Sequence, residues 1–529
     1  MSNRIKKKQT AKSSFNENIA LIMGTFTLAV LCILPLVFHH FYFDILETKY
    51  QFYCAAAIVM MIAMAGYGLV SGKLGEFLKS FNGKKIVKSL SFVDWAMLAF
   101  WLSNVISWLL CSDWRWEAFW GTSGRYNGVF LMTIYMAVYF LVTRFFTFRQ
   151  WYLDAFLAVG IFVCLFGITD YFQMDILGFK VNMVEGQRAI YTSTFGNINT
   201  YTIYTGAVMV VSMILFCLEK NQKRMLWYYG NMILSSFALI MGTSDNAYLT
   251  LAVLFGLSPL YLFRTKTGVR RYLLSLASFL TVIQCIDWIN VACAESVLGI
   301  DSAFKLIANM SILPLLVVGF WVIAGSVSYI TVKKKDASSD EMGKWLRFVW
   351  LGGVVLVVAT VTYVFYDANM GGNSEKYGAF ANYVVFNDSW GTERGYVWKR
   401  CVEIYTTKFN ALQKLFGYGP DTLSLLMQYY YDGKKIGDMV VIYDSAHNEY
   451  LHYLVTIGLV GMVSYIAFMG SAIVRMCRNM KDRPEVAAVM FAAAAYAVQA
   501  IVNINLPIAM PIILQLLAMG LARKADTQG

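Results

Sequence analysis

The residues best suited to chemistry lie in one short stretch, residues 443–451, which reads YDSAHNEYL. Asp444 or Ser445 can cap the first backbone N–H groups of the apolar helix predicted to follow. His447 would then lie in the first turn, where the positive end of the helix dipole disfavours imidazolium. A neutral imidazole can accept a proton, and the same helix end suits a phosphate. The alternative is a solvated interfacial histidine without a function.

A second candidate segment lies upstream, at residues 390–400, which read WGTERGYVWKR. This pattern predicts a helix start with aromatic faces and three cations. Arg394, with Arg125 and Lys399, could clamp a diphosphate, because guanidinium donors match phosphate oxygens in bidentate geometry. The alternative is an amphipathic helix that rests on the membrane surface and is anchored there by its tryptophans.

The composition places both segments in a membrane protein. The chain has 529 residues, of which 58% are hydrophobic and 14% charged, and its mean hydropathy is +0.55. Apolar runs of about 20 residues recur, each long enough to cross a hydrocarbon core of about 30 Å. The sequence therefore predicts an all-α, polytopic bundle of membrane helices.

The net charge of +12 does not indicate a nucleic-acid partner. The basic residues are spread over short loops between apolar segments, a pattern set by membrane topology rather than by a groove for nucleic acid. Nine cysteines are scattered singly. No CxxC and no Cys/His ligand spacing occurs, so we predict neither a metal site nor a disulfide framework, and no cofactor.

The loop charges predict the topology. Every second loop is rich in Lys and Arg, which gives about 14 transmembrane helices with both termini in the cytoplasm. The expected location is the plasma or inner membrane. The loop between helices 11 and 12, about 80 residues, is far longer than an ordinary connection and should carry function or its own structure. The predicted division is a basic N-terminus (1–18), helices 1–11 (19–366), the external loop (367–446), helices 12–14 (447–522) and a cytoplasmic tail (523–529).

Three aspartates lie in or beside apolar segments. Asp94 and Asp154 are near the cytoplasmic ends of their predicted helices and should be interfacial. Asp287 is deeper, and an ionised group at mid-membrane costs about 2.5–3.5 kcal/mol, so it should face a cavity or a partner. It could belong to a proton path in a transporter, or it could form a hydrogen bond within the bundle.

The ordered motifs resemble those of the O-antigen ligase/polymerase family of polytopic glycan-processing membrane proteins. The family's histidine at the end of a long external loop, its Arg…Trp…GxG stretch, its G-N-x-N helix start and its early external arginine turn each have a counterpart. Those counterparts are HNEYL (447–451) with TIGLVG (456–461), RGYVW (394–398) with FGYG (416–419), FGNIN (195–199) and GRYNG (124–128). The order and sidedness match from about residue 121 to residue 521.

The resemblance implies transfer of a saccharide from a polyprenyl-diphosphate carrier to a growing glycan or another acceptor, outside the membrane, with inversion and without a metal. His447 would be the base or the orienting group on the acceptor hydroxyl, and Arg394 would hold the diphosphate. The partners would be the lipid-linked saccharide, the acceptor and membrane lipids. A diphosphate is already a good leaving group, so the protein supplies mainly charge neutralisation, positioning and one base.

One position departs from the family pattern. Family members often carry Ser-Arg at the hairpin that here reads TSDN (243–246), so that Asp245 stands where an arginine is expected. Arg125 or Arg188 could supply the second cation, the donor could be handled differently, or the chain could be inactive. Asn197 and Asn199, like Asp245, could simply cap helices. The candidate substrate-binding residues are Arg125, Arg188, Asn197, Asn199, Asp245, Lys399 and Asn448.

Two other functions remain open at this point. A lipid-linked oligosaccharide flippase would suit fourteen helices and an intramembrane aspartate, although the candidate residues concentrate on one face, whereas alternating access needs a route from both sides. A non-catalytic scaffold is the third possibility. If His447 is the base, activity should fall below about pH 6, near the ordinary pKa of imidazole.

Overall fold

The computed structural model describes most of the chain. The residues it describes are 17–73, 75, 87–122, 124–300, 303–308, 310–333, 340–431, 434–436, 439–441, 443–481 and 483–522. Three segments with basic residues lie outside the described residues. They are the N-terminus up to residue 16, part of the loop after the second predicted helix, and the tail from residue 523. The predicted division into five segments therefore stays a prediction.

Helices dominate the described chain, as predicted. In chain order they are α1 (Glu17–Leu36), α2 (Ile45–Val70), α3 (Phe92–Leu110), α4 (Arg115–Trp120), α5 (Val129–Phe145), α6 (Trp151–Tyr171), α7 (Ile198–Leu218), α8 (Gln222–Met241), α9 (Ala247–Leu262), α10 (Lys266–Ala292), α11 (Ala303–Ala308), α12 (Leu313–Lys333), α13 (Trp345–Asn369), α14 (Ala381–Val384), α15 (Trp390–Glu403), α16 (Ala411–Phe416), α17 (Leu423–Tyr431), α18 (Glu449–Thr456), α19 (Gly458–Asn479), α20 (Pro484–Gln499) and α21 (Met510–Leu521).

Two short antiparallel ladders were not predicted. They pair β1 (Tyr191–Thr192) with β2 (Gly196–Asn197), and β3 (Lys434–Ile436) with β4 (Met439–Val441). The second ladder, together with α14–α17, gives the long predicted loop a structure of its own, as its length had suggested.

Nine helices of the described chain are long and apolar enough to cross a membrane, and four shorter helices are also apolar. The protein is therefore a multi-pass membrane protein. The predicted count of fourteen spans remains a prediction. The largely apolar runs of residues 92–110 and 129–145 predict the third and fourth helices, and the bounds of α3 and α5 agree with these predictions.

The apolar run from about Tyr53 to Val70 predicts the second helix, but α2 begins at Ile45. The reason is Lys49, which is fully buried and whose Nζ donates to the carbonyl oxygens of Leu34 at 2.7 Å and Pro35 at 3.0 Å. The ammonium thus satisfies carbonyls at the end of α1, as basic side chains near helix C-termini do. A lysine that looked like a loop residue lies inside the bundle.

The core lies around α7, which packs against α6, α8, α10 and α20. In the most apolar 18-residue window of α7, 94% of the residues are buried inside the bundle. In the corresponding window of α13 none is buried. The described bundle therefore has one central helix and one helix at its very edge.

The predicted helix 12 is two helices. Helix α18 begins at Glu449, two residues after His447, and it ends at Thr456 before α19 begins at Gly458, where φ is +73°. A Cβ on Gly458 would lie 2.3 Å from the backbone of Leu415, in α16. The helix breaks because another backbone packs into this point, which only glycine permits.

The three aspartates have ordinary surroundings. Asp94 closes a capping box at the start of α3, and its Oδ2 pairs with Arg144 at 3.0 Å. Asp154 pairs with Arg224 at 2.5 Å. Asp287 lies near the last turns of α10, where its carboxylate accepts from Gln284 Nε2 at 3.1 Å. The hydrogen bond within the bundle accounts for Asp287.

Candidate active site

His447 lies in the loop between β4 and α18, not in the first turn of a helix. Its φ is +45°, a left-handed conformation that histidine adopts more readily than most residues. Its backbone N–H donates to Ser445 Oγ at 3.1 Å. The cap of α18 is Asn448, whose Oδ1 accepts from Leu451 N at 3.0 Å, so the predicted capping by Asp444 or Ser445 is wrong. Nδ1 of His447 is buried without a hydrogen-bond partner among the described residues.

Arg394 is presented by a strained turn at the start of α15. Gly391, Thr392 and Glu393 have φ values of 61°, 60° and 70°, and a β-branched threonine is an outlier there. Nη1 of Arg394 donates to the Gly391 carbonyl oxygen at 2.6 Å. A Cβ on Gly395 would come within 1.8 Å of a backbone oxygen, that of Asn387. Close backbone packing therefore fixes where the guanidinium lies.

Arg125 lies in the turn between α4 and α5 and is buried. Its Nε donates to Asp444 Oδ2 at 3.1 Å, and its Nη2 pairs with the other carboxylate oxygen. Because Asp444 is three residues before His447, this ion pair brings the turn that contains Arg125 to the loop that contains His447, called the histidine loop below. The two segments are more than 300 residues apart in the chain.

The charges around His447 disfavour its protonation. Burial, followed by the positive charges of Arg394 and Arg125, lowers its pKa from 6.5 to about 3, although Asp444 opposes this. The imidazole is therefore neutral at pH 7, as predicted. The expected loss of activity below about pH 6 is not supported for the free protein, because burial and the two arginines move the titration to lower pH.

Asp245, at the position of the family arginine, is an electrostatic neighbour of Arg394. Burial lowers the pKa of Arg394, and the carboxylate of Asp245 opposes that effect. The hairpin that carries Asp245 is tied to α7, since Asn199 Oδ1 accepts from Ser244 Oγ at 2.8 Å and from Asn246 Nδ2 at 3.0 Å. The departure from the family pattern therefore lies beside the candidate site.

Other candidates have structural roles. Asn197 caps α7, where its Oδ1 accepts from Asn199 N at 2.8 Å, and Asn448 caps α18. Lys399 is exposed and pairs with Asp388 at 2.7 Å. Arg188 is exposed, and its Nε donates to a backbone oxygen at 3.3 Å. No described contact joins Lys399 or Arg188 to His447.

A buried polar cavity lies beside the histidine loop and was not predicted. Its volume is about 20 Å³, room for roughly one water. Its polar lining includes Asn104, Arg125, Asp421, Ser445, His452 and Asn505. Glu449 also lines it, and accepts from Tyr453 OH at 3.1 Å and from Tyr496 OH at 3.0 Å. The motifs FGYG (416–419) and HNEYL (447–451) drew attention to these segments but did not predict this cavity.

The fold and the site together define a multi-pass membrane protein with a neutral histidine whose pKa is lowered by burial and by two arginines, at a site where a long loop meets the helical bundle. A family model described as O-antigen ligase matches residues 300–466. This range contains Arg394, Asp421 and His447, and it confirms the resemblance over about a third of the chain. No curated protein matches the chain.

By this match the chain is similar to membrane glycan ligases and polymerases. These are glycosyltransferase-like enzymes of polysaccharide biosynthesis. Arg125 and Asp245 lie outside the matched range. Among the described residues, no group of three or more His, Cys, Asp and Glu side chains is placed to hold a metal ion.

Proposed function

We propose that the protein transfers a saccharide from a polyprenyl-diphosphate carrier to a glycan or another acceptor at the outer face of a plasma or inner membrane, without a metal. The observation that carries the proposal is the Nδ1 of His447, which is buried and has no hydrogen-bond partner among the described residues. Burial, Arg394 and Arg125 keep this imidazole neutral, and Asp444, three residues before it, pairs with Arg125. Two cations and a proton acceptor are what displacement of a diphosphate by a hydroxyl requires.

The proposed reaction is a single inverting displacement. The acceptor hydroxyl oxygen attacks the anomeric carbon of the donor saccharide, and the bond from that carbon to the diphosphate oxygen breaks. The hydroxyl proton passes to an unprotonated nitrogen of His447. Arg394 and Arg125 neutralise the charge that develops on the leaving diphosphate, which departs on its lipid carrier.

Arg125 is the better candidate for the second cation. It reaches the histidine loop through Asp444, whereas Arg188 is exposed and has no described contact there. Asp245 would act on the donor through Arg394, since its carboxylate opposes the effect of burial on that guanidinium. Asn199 would contribute by holding the hairpin that carries Asp245.

The test uses purified protein in lipid with a polyprenyl-diphosphate oligosaccharide, and follows glycan size and release of the carrier. We expect His447→Ala and Arg394→Ala to lose at least about 100-fold in rate, the lower range for one general base or one charge-stabilising group. Matched controls are His39→Ala, an exposed histidine paired with Asp44, and Lys408→Ala, an exposed cation of the long loop. Both should keep the wild-type rate.

The product distinguishes the functions. A ladder of glycans that His447→Ala abolishes means a polymerase. Carrier release only after a second acceptor is added means a ligase. Movement of the intact donor across the bilayer, without release and unaffected by His447→Ala, would refute the proposal in favour of a flippase.

A further inference from the structure

Asp421 joins two loops that lie far apart in the sequence. Its Oδ2 accepts from Thr122 N at 2.9 Å, from Thr122 Oγ1 at 3.2 Å and from Asn127 N at 3.1 Å. These donors stand on both sides of Arg125 in the same turn. We infer that Asp421 is a positioning residue whose carboxylate clamps this turn and so aims Arg125 at the reaction site, an inference that rests on the proposed function.

The turn needs such a clamp because Tyr126 is held in the left-handed region, at a φ of 57°, where a bulky side chain is strained. Gly121 and Gly124 also have positive φ values, of 93° and 82°, which glycine adopts readily. A Cβ on Gly121 would lie 2.4 Å from the backbone of Tyr126, so the two ends of the turn are in close contact. Left-handed residues persist where the surrounding structure holds them. Three bonds from one carboxylate oxygen provide that hold on both sides of Arg125.

The clamp is itself anchored to the histidine segment. Gly419 N donates to the Thr456 oxygen at 2.9 Å, and Tyr418 N donates to the Val455 oxygen at 3.3 Å, both at the end of α18. Helix α18 begins two residues after His447. Asp421 therefore fixes the turn of Arg125 to the helix that follows the proposed base. The relative position of cation and base depends on this connection.

Several other contacts hold the turn, among them the ion pair of Arg125 with Asp444 and the hydrogen bonds that Arg125 N and Tyr126 N each donate to the Thr122 oxygen at 3.0 Å. Two more contacts come from outside the turn. Tyr126 stacks on Tyr50 with ring centroids 4.8 Å apart, and Asn127 Nδ2 donates to the Asn505 carbonyl oxygen at 2.5 Å. Both act only on residues after Arg125. Asp421 is 4% exposed, and its Oδ1 has no hydrogen-bond partner among the described residues. One oxygen thus carries the whole clamp, so an asparagine oxygen can replace it.

The experiment compares Asp421→Asn, which keeps an accepting oxygen, with Asp421→Ala, which does not. In wild-type protein in lipid, hydrogen exchange at the amides of Thr122 and Asn127 reports the clamp directly and does not require activity. We expect exchange at least about tenfold faster in Asp421→Ala, because a bond to a carboxylate is lost at each amide. Asp421→Asn should stay within about threefold of wild type. Asp388→Ala, at an exposed carboxylate of the long loop, is the matched control.

The kinetic arm tests the consequence for Arg125. Asp421→Ala should lose kcat/KM for the donor as Arg125→Ala does, and the double variant should be little worse than Arg125→Ala alone, since both changes remove the same interaction. A purely structural role for Asp421 predicts additive losses instead. If Asp421→Ala does not fold, Thr122→Val removes one of the three bonds and leaves the carboxylate in place.

Each outcome decides something different. Two results overturn the inference. If Asp421→Asn behaves like Asp421→Ala, the role of Asp421 lies in its charge and not in an accepting oxygen. If exchange in Asp421→Ala is unchanged, the clamp does not exist. Additive losses with faster exchange limit Asp421 to stability. Absence of transfer by the wild type would refute the proposed function, whereas the exchange result would still decide whether the clamp exists.

Discussion

The basicity of His447 should depend on whether a diphosphate is bound. In the free protein, burial and the positive charges of Arg394 and Arg125 make imidazolium unfavourable. A diphosphate held by the two guanidinium groups would cancel much of that positive charge. The pKa of His447 should then rise, so that the base becomes effective when the donor is in place.

The expected size of this change in the pKa of His447 follows from the charges around it. A fall from 6.5 to about 3 corresponds to about 5 kcal/mol at about 1.4 kcal/mol per pKa unit. Burial is the largest single cause, Arg394 and Arg125 follow, and Asp444 acts in the opposite direction, so the separate lowering effects add up to more than the net fall. Two unit charges about 8 Å apart interact by about 2 kcal/mol at an effective dielectric constant of about 20. Loss of one arginine charge should therefore raise the pKa of His447 by about 1.5.

Nuclear magnetic resonance of labelled histidine can measure this, because the chain has only four histidines. The protein in nanodiscs is titrated between about pH 3 and 8 with and without inorganic diphosphate, and His447→Gln assigns the signal. We expect a rise of at least about 1 in pKa with diphosphate, about 1.5 in Arg394→Gln, and little change in Arg394→Lys, which keeps the charge.

Two results would refute this reasoning. One is a pKa of His447 near 6.5 in the free protein, since burial and the arginines would then have no effect. The other is a low pKa that neither diphosphate nor Arg394→Gln changes, which would assign the whole effect to burial and leave the donor without influence on the base.

Three further outcomes are expected. Because the pKa of His447 is lowered in the folded state, the unfolded chain takes up the proton first as the pH falls. The free energy of unfolding of the wild type should therefore decrease by about 2 kcal/mol between pH 7 and 5. His447→Gln should avoid this loss, and melting temperatures measured at the two pH values would show it. Gly417→Ala places a Cβ 2.2 Å from a carbonyl oxygen of α18 at a φ of +75° and should lower the melting temperature, whereas Gly470→Ala, with open space around it inside α19, should not. Lys399→Ala should keep most transfer activity while Arg125→Ala loses it; equal losses would show that Lys399 belongs to the site.

The sequence predicted well where a local pattern suffices. The largely apolar runs of α3 and α5 predicted the approximate bounds of both helices, and the neutral state of His447 was also predicted. The predicted reason for this neutral state was the dipole of the following helix. In the structure, burial and two arginines from distant segments act on the imidazole. Motif order selected Arg394, Arg125 and His447, which the fold brings together.

The errors come from contacts between distant segments. Nothing near Asp421 indicates that its partner is Thr122, 299 residues earlier. The break before Gly458 exists because the backbone near Leu415 packs there, and a local pattern cannot show that. Lys399 and Arg188 carry the same charge as Arg394 and Arg125, which act on His447, so only the packing of the loops separates the two pairs.

The contrast between α7 and α13 has a consequence for how the two helices can vary. Almost every side chain in the apolar window of α7 is surrounded by protein, so a change of one methyl group there alters volume in a close-packed interior. In α13 no side chain in that window is buried, so one aliphatic residue can replace another with little effect on packing. Over evolutionary time α7 should keep its residue sizes, whereas α13 should drift freely among apolar sequences of the same length.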